Sequence, residues 1–220
     1  MIPPAQNGDF VAAMEEVLDI YKRPYDARMP VVCMDESPRQ LIRETRRPVK
    51  TAPGRPARYD TEYERCGVCN IFMASEPLAG KRMVKVTERR TKADWACFLK
   101  DIAERHQEAE QIVLVMDNLS THKPGSLYEV FPPEEAKRLR DRFDFVYTPK
   151  HGSWLNVAEI ELNVLSRQCL NRRIDNMETL GHEVDAWQRH RDNLAAKVNW
   201  QFTTEDARVK LRRLYPTIEE

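Results

Sequence analysis

The chain has 220 residues, enough for one large domain, or one domain with a helical appendage, and for a real core. Its 35 Lys and Arg balance 35 Asp and Glu, so net charge argues neither for nor against a polyanionic partner, and the distribution of charge has to be read instead. No apolar run approaches the roughly 20 residues of a membrane span, the opening MIPPAQNGDF lacks the layout of a secretory signal, and five cysteines at irregular spacing make a poor disulfide framework; a cytoplasmic protein is expected.

In chain order, residues 9–22 place Phe10, Met14, Val17, Leu18 and Tyr21 on one helical stripe, with Asp9 as the expected N-cap. MPVVCMDES (29–37) reads as a short strand that ends on Asp35-Glu36. Residues 37–58 carry four prolines and seven basic residues (Arg39, Arg43, Arg46, Arg47, Lys50, Arg55, Arg58) against one acid, Glu44, which predicts an extended basic loop. GVCNIFMASEP (67–77) and KRMVKVTE (81–88) read as strands joined by a tight turn at LAG. Residues 91–107 form a helix capped by Thr91, with Trp95, Phe98, Leu99 and Ile102 as its apolar stripe. A strand in IVLVMDNLSTHK (112–123), a helix at 132–142, a strand at 143–149 and a helix at 153–170 follow, with Ser153 as the candidate N-cap of the last. The remainder is helical, in 176–196 and 203–214. Adjacent strands followed by β-α-β alternation predict an α/β fold, a mixed sheet with helices on its faces. Cys66-Gly-Val-Cys69 lacks a second CxxC or a His pair to complete a zinc site, and an offset of three on a strand points the two sulfurs to opposite faces.

Three acids sit where chemistry can use them. Asp35 closes the first strand, Asp117 closes the fourth, and Glu159 or Glu161 lies near the start of a late helix. A carboxylate at the end of an apolar strand is costly to bury unpaired, and the bland account is that each acid marks a turn. Acids converging from two strand ends and a helix are also what a two-metal phosphoryl-transfer site needs, since hard cations such as Mg²⁺ take oxygen ligands. Helix geometry leaves both glutamates open: with Trp154, Ala158, Leu162, Leu165 and Cys169 as the buried stripe, Glu161 falls inside its edge and Glu159 just outside.

VVCMDES, IVLVMDNLSTH and YTPKHGSWLNVAEIELNVLSRQCL resemble the three catalytic blocks of DDE transposases, nearest the bacterial insertion-sequence (IS-six-thirty-type) branch of the mariner-like superfamily. The resemblance covers roughly residues 1–195. It implies an RNase H-like core, two Mg²⁺ or Mn²⁺ ions, and cut-and-paste chemistry in which transposon ends are hydrolysed and the freed 3′-hydroxyl attacks target DNA. By position in the motifs it implies Asp35, Asp117 and Glu159 as catalytic and metal-ligating residues. The interval between Asp117 and Glu159 is longer than the superfamily's usual spacing, and the extra residues are expected in KPGSLYEVFPPEEAKRL (123–139).

Asn118 and His122 match the second block, and His122 is read either as a contact to phosphate or metal-bound water or as a turn histidine bonding the backbone. Lys150, His151 and Trp154 precede the third acid and suit a DNA backbone and a frayed base, with core packing the alternative for Trp154. The basic loop offers Arg39, Arg46, Arg47, Lys50, Arg55 and Arg58 to phosphate; the resemblance implies dimer and DNA contacts there. Arg167, Arg172 and Arg173 form a second basic group, read as a solvated helix face. The expected organisation is a lead-in at 1–30, a catalytic core at 31–175 and a helical extension at 176–220. The helix-turn-helix module that family members carry before the core is not in this sequence, so a catalytic fragment, a split-frame product or a truncated copy is expected. Partners implied are double-stranded DNA, at transposon ends and target, and a second copy of the chain on that DNA, in a bacterial cytoplasm. The competing readings are a standalone RNase H-like nuclease and a non-catalytic DNA-binding and dimerisation remnant of a decayed element.

Overall fold

A computed structural model describes residues 6–46, 52–56, 61–119 and 122–217. Five strands, β1 (Val31–Glu44), β2 (Tyr63–Glu76), β3 (Lys81–Thr87), β4 (Ile112–Met116) and β5 (Phe143–Tyr147), form one sheet in the order β3-β2-β1-β4-β5. The hairpin strands β1, β2 and β3 pair antiparallel, whereas β4 and β5 add in parallel. Helices cover both faces, which is the expected RNase H-like mixed sheet. On one face α1 (Gly8–Lys22), α5 (Val157–Gln168), α6 (Met177–Asn193) and α7 (Thr204–Lys210) pack over Val31, Cys33, Ile71 and Val113. On the other, α2 (Lys92–Arg105), α3 (Gly125–Val130) and α4 (Pro133–Asp141) pack over Val32, Met34, Phe72 and Leu114. Each strand thus alternates its side chains between two cores. Among the described residues no helix is long and apolar enough to cross a membrane.

The helical stripes form as the periodicity dictates. Helix α1 buries Phe10, Met14, Val17, Leu18 and Tyr21, and α2 buries Trp95, Phe98, Leu99 and Ile102. Thr91 caps α2 in a reciprocal box with Asp94. Two caps differ from expectation. Asn7, not Asp9, accepts the Phe10 amide at the start of α1; Asp9 instead lies in the first turn, where the helix dipole favours its charge. The expected helix at 153–170 is a 3₁₀ turn (Ser153–Leu155) followed by α5, and Asn156 rather than Ser153 is its N-cap. The long interval after Asp117 holds α3 and α4, of which the second alone was expected.

The first strand does not stop at Asp35-Glu36. It runs on through Pro38 to Glu44, paired with β2 from Cys33↔Ser75 to Glu44↔Tyr63, so the first third of the expected basic loop is strand. Pairing of β1 with β4 ends at Cys33↔Val115, leaving β1 an open edge beyond that point, where a proline's missing N–H is tolerated. A bulge between Gln40 and Ile42, with Gly67 at φ +108, adds one residue to β2. That extra residue reverses the alternation, so Cys66 and Cys69 pack on the same core, contrary to the offset rule. All five cysteines are free thiols.

The C-terminal helices are tied to the sheet by a buried ionic cluster. Arg82 on β3 donates to both carboxylate oxygens of Glu161 on α5 (2.8 and 3.2 Å), and Arg191 on α6 adds a third bond at 2.9 Å. Asp192 lies 3.3 Å from Arg82, and Arg82 also donates to the carbonyls of Gly80 and Ala196. Gly80 is required here: at φ +68, a Cβ would stand 2.6 Å from the Ala195 carbonyl. Arg82 and Glu161 are each 1% exposed, so removing one leaves the other charged in a dry site. We expect Glu161→Ala to cost about 3 kcal/mol or more in urea denaturation. Arg43→Ala, which loses exposed pairs to Asp175 and Glu64, is expected to cost under about 1 kcal/mol. Equal losses would contradict the role given to the buried cluster.

Candidate active site

Beyond Cys33 and Val115 the parallel strands β1 and β4 part, and the acids gather around the opening. Asp35 follows Met34 on β1, and Asp117 follows Met116, the last residue of β4. Strand alternation sends Asp35 toward the face of Cys33 and α5, and Glu36 toward the face of Met34 and α2. Glu159 lies exposed in the first turn of α5, on the side of Asp35. The arrangement is visible in the acidity of Asp35. Its burial, opposed by a 2.8 Å hydrogen bond from the Glu36 amide and reinforced by the charges of Glu36, Asp117 and Glu159, pushes its carboxyl up to about 7.

His122 fills the other side of the opening. Its Nδ1 lies 2.5 Å from Asp117 Oδ1 and its Nε2 3.2 Å from Glu36 Oε2, while Trp95 stacks on the ring at 5.8 Å. The Glu36 contact is an ion pair rather than a hydrogen bond of good geometry, and that oxygen is otherwise buried without a partner. Arg90 stands 3.6 Å from the second Glu36 oxygen. Burial alone would lower the imidazole, but the Asp117 and Glu36 carboxylates outweigh it and take His122 up to about 9. His122 is therefore a cation wedged between two acids. Tyr147 closes the loop behind it by donating to the His122 carbonyl at 3.0 Å.

The two candidate glutamates on α5 have different surroundings. Glu161 is consumed by Arg82 and Arg191, whereas Glu159 faces outward beside Asp35. Among the described residues no three His, Cys, Asp or Glu side chains are gathered tightly enough to hold an ion as they stand.

Several expected DNA contacts have other work. Arg39 donates to the Leu170 and Arg172 carbonyls at the end of α5. Arg46 stands 3.7 Å from Glu62, and Arg173 pairs with Glu44 at 2.5 Å, so much of the basic charge is compensated by acids. Arg47, Lys50 and Arg58 lie outside the described residues. Trp154 packs edge-on against Phe202 at 5.8 Å in the core, which favours the packing account of it. Asn118 accepts from Lys123, whose ammonium also sits 4.7 Å over the Tyr147 ring. Lys150, His151 and Arg55 are exposed, His151 at φ +68 in the turn before Gly152. Glu36 was not singled out from the sequence; its signal was adjacency to Asp35 in MDES, and strand alternation gives that pair to two faces.

Because the fold raises His122 from 6.5 to about 9, the folded chain holds this proton more tightly than the unfolded one. Its contribution to stability is whole below about 6.5 and is lost as pH rises through about 9. Metal-free protein should lose thermal stability across that window, and His122→Gln should flatten the loss. Parallel melting-temperature profiles for the two proteins would refute a charged His122.

No curated protein sequence matches the chain. Its fold resembles solved structures of the Mos1 transposase. A paired-end complex with the left transposon end superposes with TM-score 0.64 at 15% identity, covering 98% of this chain and 66% of that one. The mariner paired end complex with Mn gives TM-score 0.56 at 16% identity, covering 89% and 60%, and the Strand Transfer Complex gives 0.59 at 15%, covering 89% and 59%. The chain thus spans about three fifths of the length of these relatives. The sequence pattern of the DDE superfamily endonucleases matches residues 30–181, which include Asp35, Asp117 and Glu159, and on that match the chain belongs to the DDE superfamily endonuclease family.

Proposed function

We propose that this chain is the catalytic domain of a DDE transposase of the bacterial insertion-sequence branch, cleaving DNA at transposon ends and joining them to target DNA. The observation that carries the proposal is the placement of Asp35 on β1, Asp117 just past the end of β4 and Glu159 in the first turn of α5 around the point where β1 and β4 part. Repelling carboxylates held together at the split edge of a sheet are stabilised by a cation. The donors are all oxygen, which fits Mg²⁺ or Mn²⁺ by donor type. Asp35, Asp117 and Glu159 would hold the metal, and two such ions supply, when bound, activation of an attacking oxygen and stabilisation of a leaving one. Complexes of Mos1 with Mn and with Mg are among the similar structures.

The chain's own groups have separable tasks in this reading. Asp35 is kept partly desolvated, so that its charge is held in reserve for a cation rather than spread into water. His122 holds Asp117 by Oδ1 and keeps that acid from swinging into solvent. The exposed Lys150, His151 and Arg55, with Arg47, Lys50 and Arg58 and with Asn118 beside Lys123, are proposed to face phosphates of double-stranded DNA. Two copies of the chain acting together on transposon ends, in the cytoplasm and on the nucleoid, complete the proposal.

Supercoiled or linear DNA carrying the element's ends should be nicked and joined by this chain in Mn²⁺ or Mg²⁺ and left intact in chelator. Asp35→Ala, Asp117→Ala and Glu159→Ala should each reduce both reactions to background while the fold, followed by circular dichroism, persists. Full activity in Glu159→Ala would overturn the third assignment. Cutting of hybrids or branched DNA with no joined product would identify a nuclease instead.

A further inference from the structure

We propose that Asn156 is a positioning residue that sets the separation between Asp35 and Glu159, an inference that rests on the metal-site reading of those acids. The residue is 1% exposed, and its side chain joins the two elements that carry them. Asn156 Nδ2 donates to the Met34 carbonyl at 2.8 Å, on the residue before Asp35. Asn156 Oδ1 accepts from the Ala158 amide at 3.0 Å, on the residue before Glu159.

The Met34 carbonyl needs such a donor because of where the sheet divides. Strand β4 pairs with β1 no further than Cys33↔Val115, so one residue later β1 has lost its neighbour on that side while still buried. A buried carbonyl left unpaired costs about 1–3 kcal/mol. The asparagine amide takes the place of the missing strand, and in doing so it fixes the first turn of α5 onto β1 at the point where β4 leaves it.

A second feature leaves Glu159 available. An N-cap followed three residues later by an acid is the pattern of a capping box, in which the acid folds back onto the N-cap amide. Among the described residues that box is built at Thr91 with Asp94 and at Thr203 with Asp206. Asn156 and Glu159 have the same spacing, yet the Asn156 amide donates instead to the Ser153 carbonyl at 2.7 Å across the preceding 3₁₀ turn. The other first-turn donors are also taken, Val157 by the Tyr21 hydroxyl at 3.4 Å and the Glu159 amide by the Asn156 carbonyl at 3.1 Å. Helix α5 therefore starts fully satisfied without using the Glu159 carboxylate.

The test measures Mn²⁺ binding by calorimetry and thermal unfolding on the whole chain. Asn156→Ser keeps a cap acceptor but its hydroxyl stops short of the Met34 carbonyl; Asn156→Thr does the same with more of the buried volume filled, and serves where the serine variant does not fold. Thr91→Ala removes the cap of a distant helix and is the control for stability loss alone. We expect Mn²⁺ to bind at least tenfold more weakly in the Asn156 variant and unchanged in Thr91→Ala. Wild-type affinity in Asn156→Ser or Asn156→Thr overturns the positioning role and leaves the metal site standing. Weakening in proportion to lost melting temperature in all variants, Thr91→Ala included, overturns it as well. Absence of Mn²⁺ binding in the wild type removes the site itself, and the inference with it.

Discussion

The parting of β1 from β4 is the constraint on which the site depends. Three parallel pairs hold these strands together, and the ladder then stops while β1 continues. A continuous sheet would bury its polar backbone in pairs and offer nothing to a ligand. Opening it at one point exposes a short stretch of β1 backbone and the end of β4, and neighbouring elements answer that exposure. Asn156 supplies a donor to Met34, the Thr148 amide donates to the Met116 carbonyl at 2.9 Å, and His122 and Trp95 fill the space on the far face. Ligand sites in open sheets with parallel strands favour the carboxyl ends of those strands for the same reason.

Two charged assemblies with opposite logic flank the opening. Arg82, Glu161, Arg191 and Asp192 balance one another in a dry environment and bind α5 and α6 to the β2–β3 turn. Asp35, Asp117 and Glu159 are a surplus of one sign, relieved in part by His122 from the side of Glu36. Both assemblies draw on the same turn and a half of α5. The helix contributes a satisfied acid to the core and an unsatisfied one to the opening, two residues apart, so its rotation about its axis is fixed by the first and displayed by the second.

Much of this was legible in the amino-acid sequence. Period-3.6 stripes located α1, α2 and α5, buried apolar runs located β4 and β5, and Asp117 fell at a strand end as expected, whereas Asp35 lies within a longer strand. The length of β1 was not legible, because Pro38 and a run of arginines argue against a strand unless one knows that the neighbouring edge is open. The pairing of Glu161 in the core was not legible either, because its partner Arg82 lies 79 residues away in the chain. The compensation of Arg43, Arg46 and Arg173 by Glu44, Glu62, Glu64 and Asp175 was hidden for the same reason: local charge counting does not see partners brought in by pairing. The bulge at Gly67 defeated a rule that holds for regular strands.

The division of Asp35 and Glu36 between two faces also bears on how faithfully β1 must align. Consecutive strand residues exchange faces when pairing slips by one position. Such a slip would turn Glu36 toward α5 and Asp35 toward His122, placing a longer acid on the first side and a shorter one on the second without changing composition. The ladder between β1 and β2 runs well past the acids, to Glu44↔Tyr63, and passes its single irregularity before it ends. That long arm acts as a vernier: each additional pair raises the cost of misalignment at a point where one residue decides which carboxylate meets the opening.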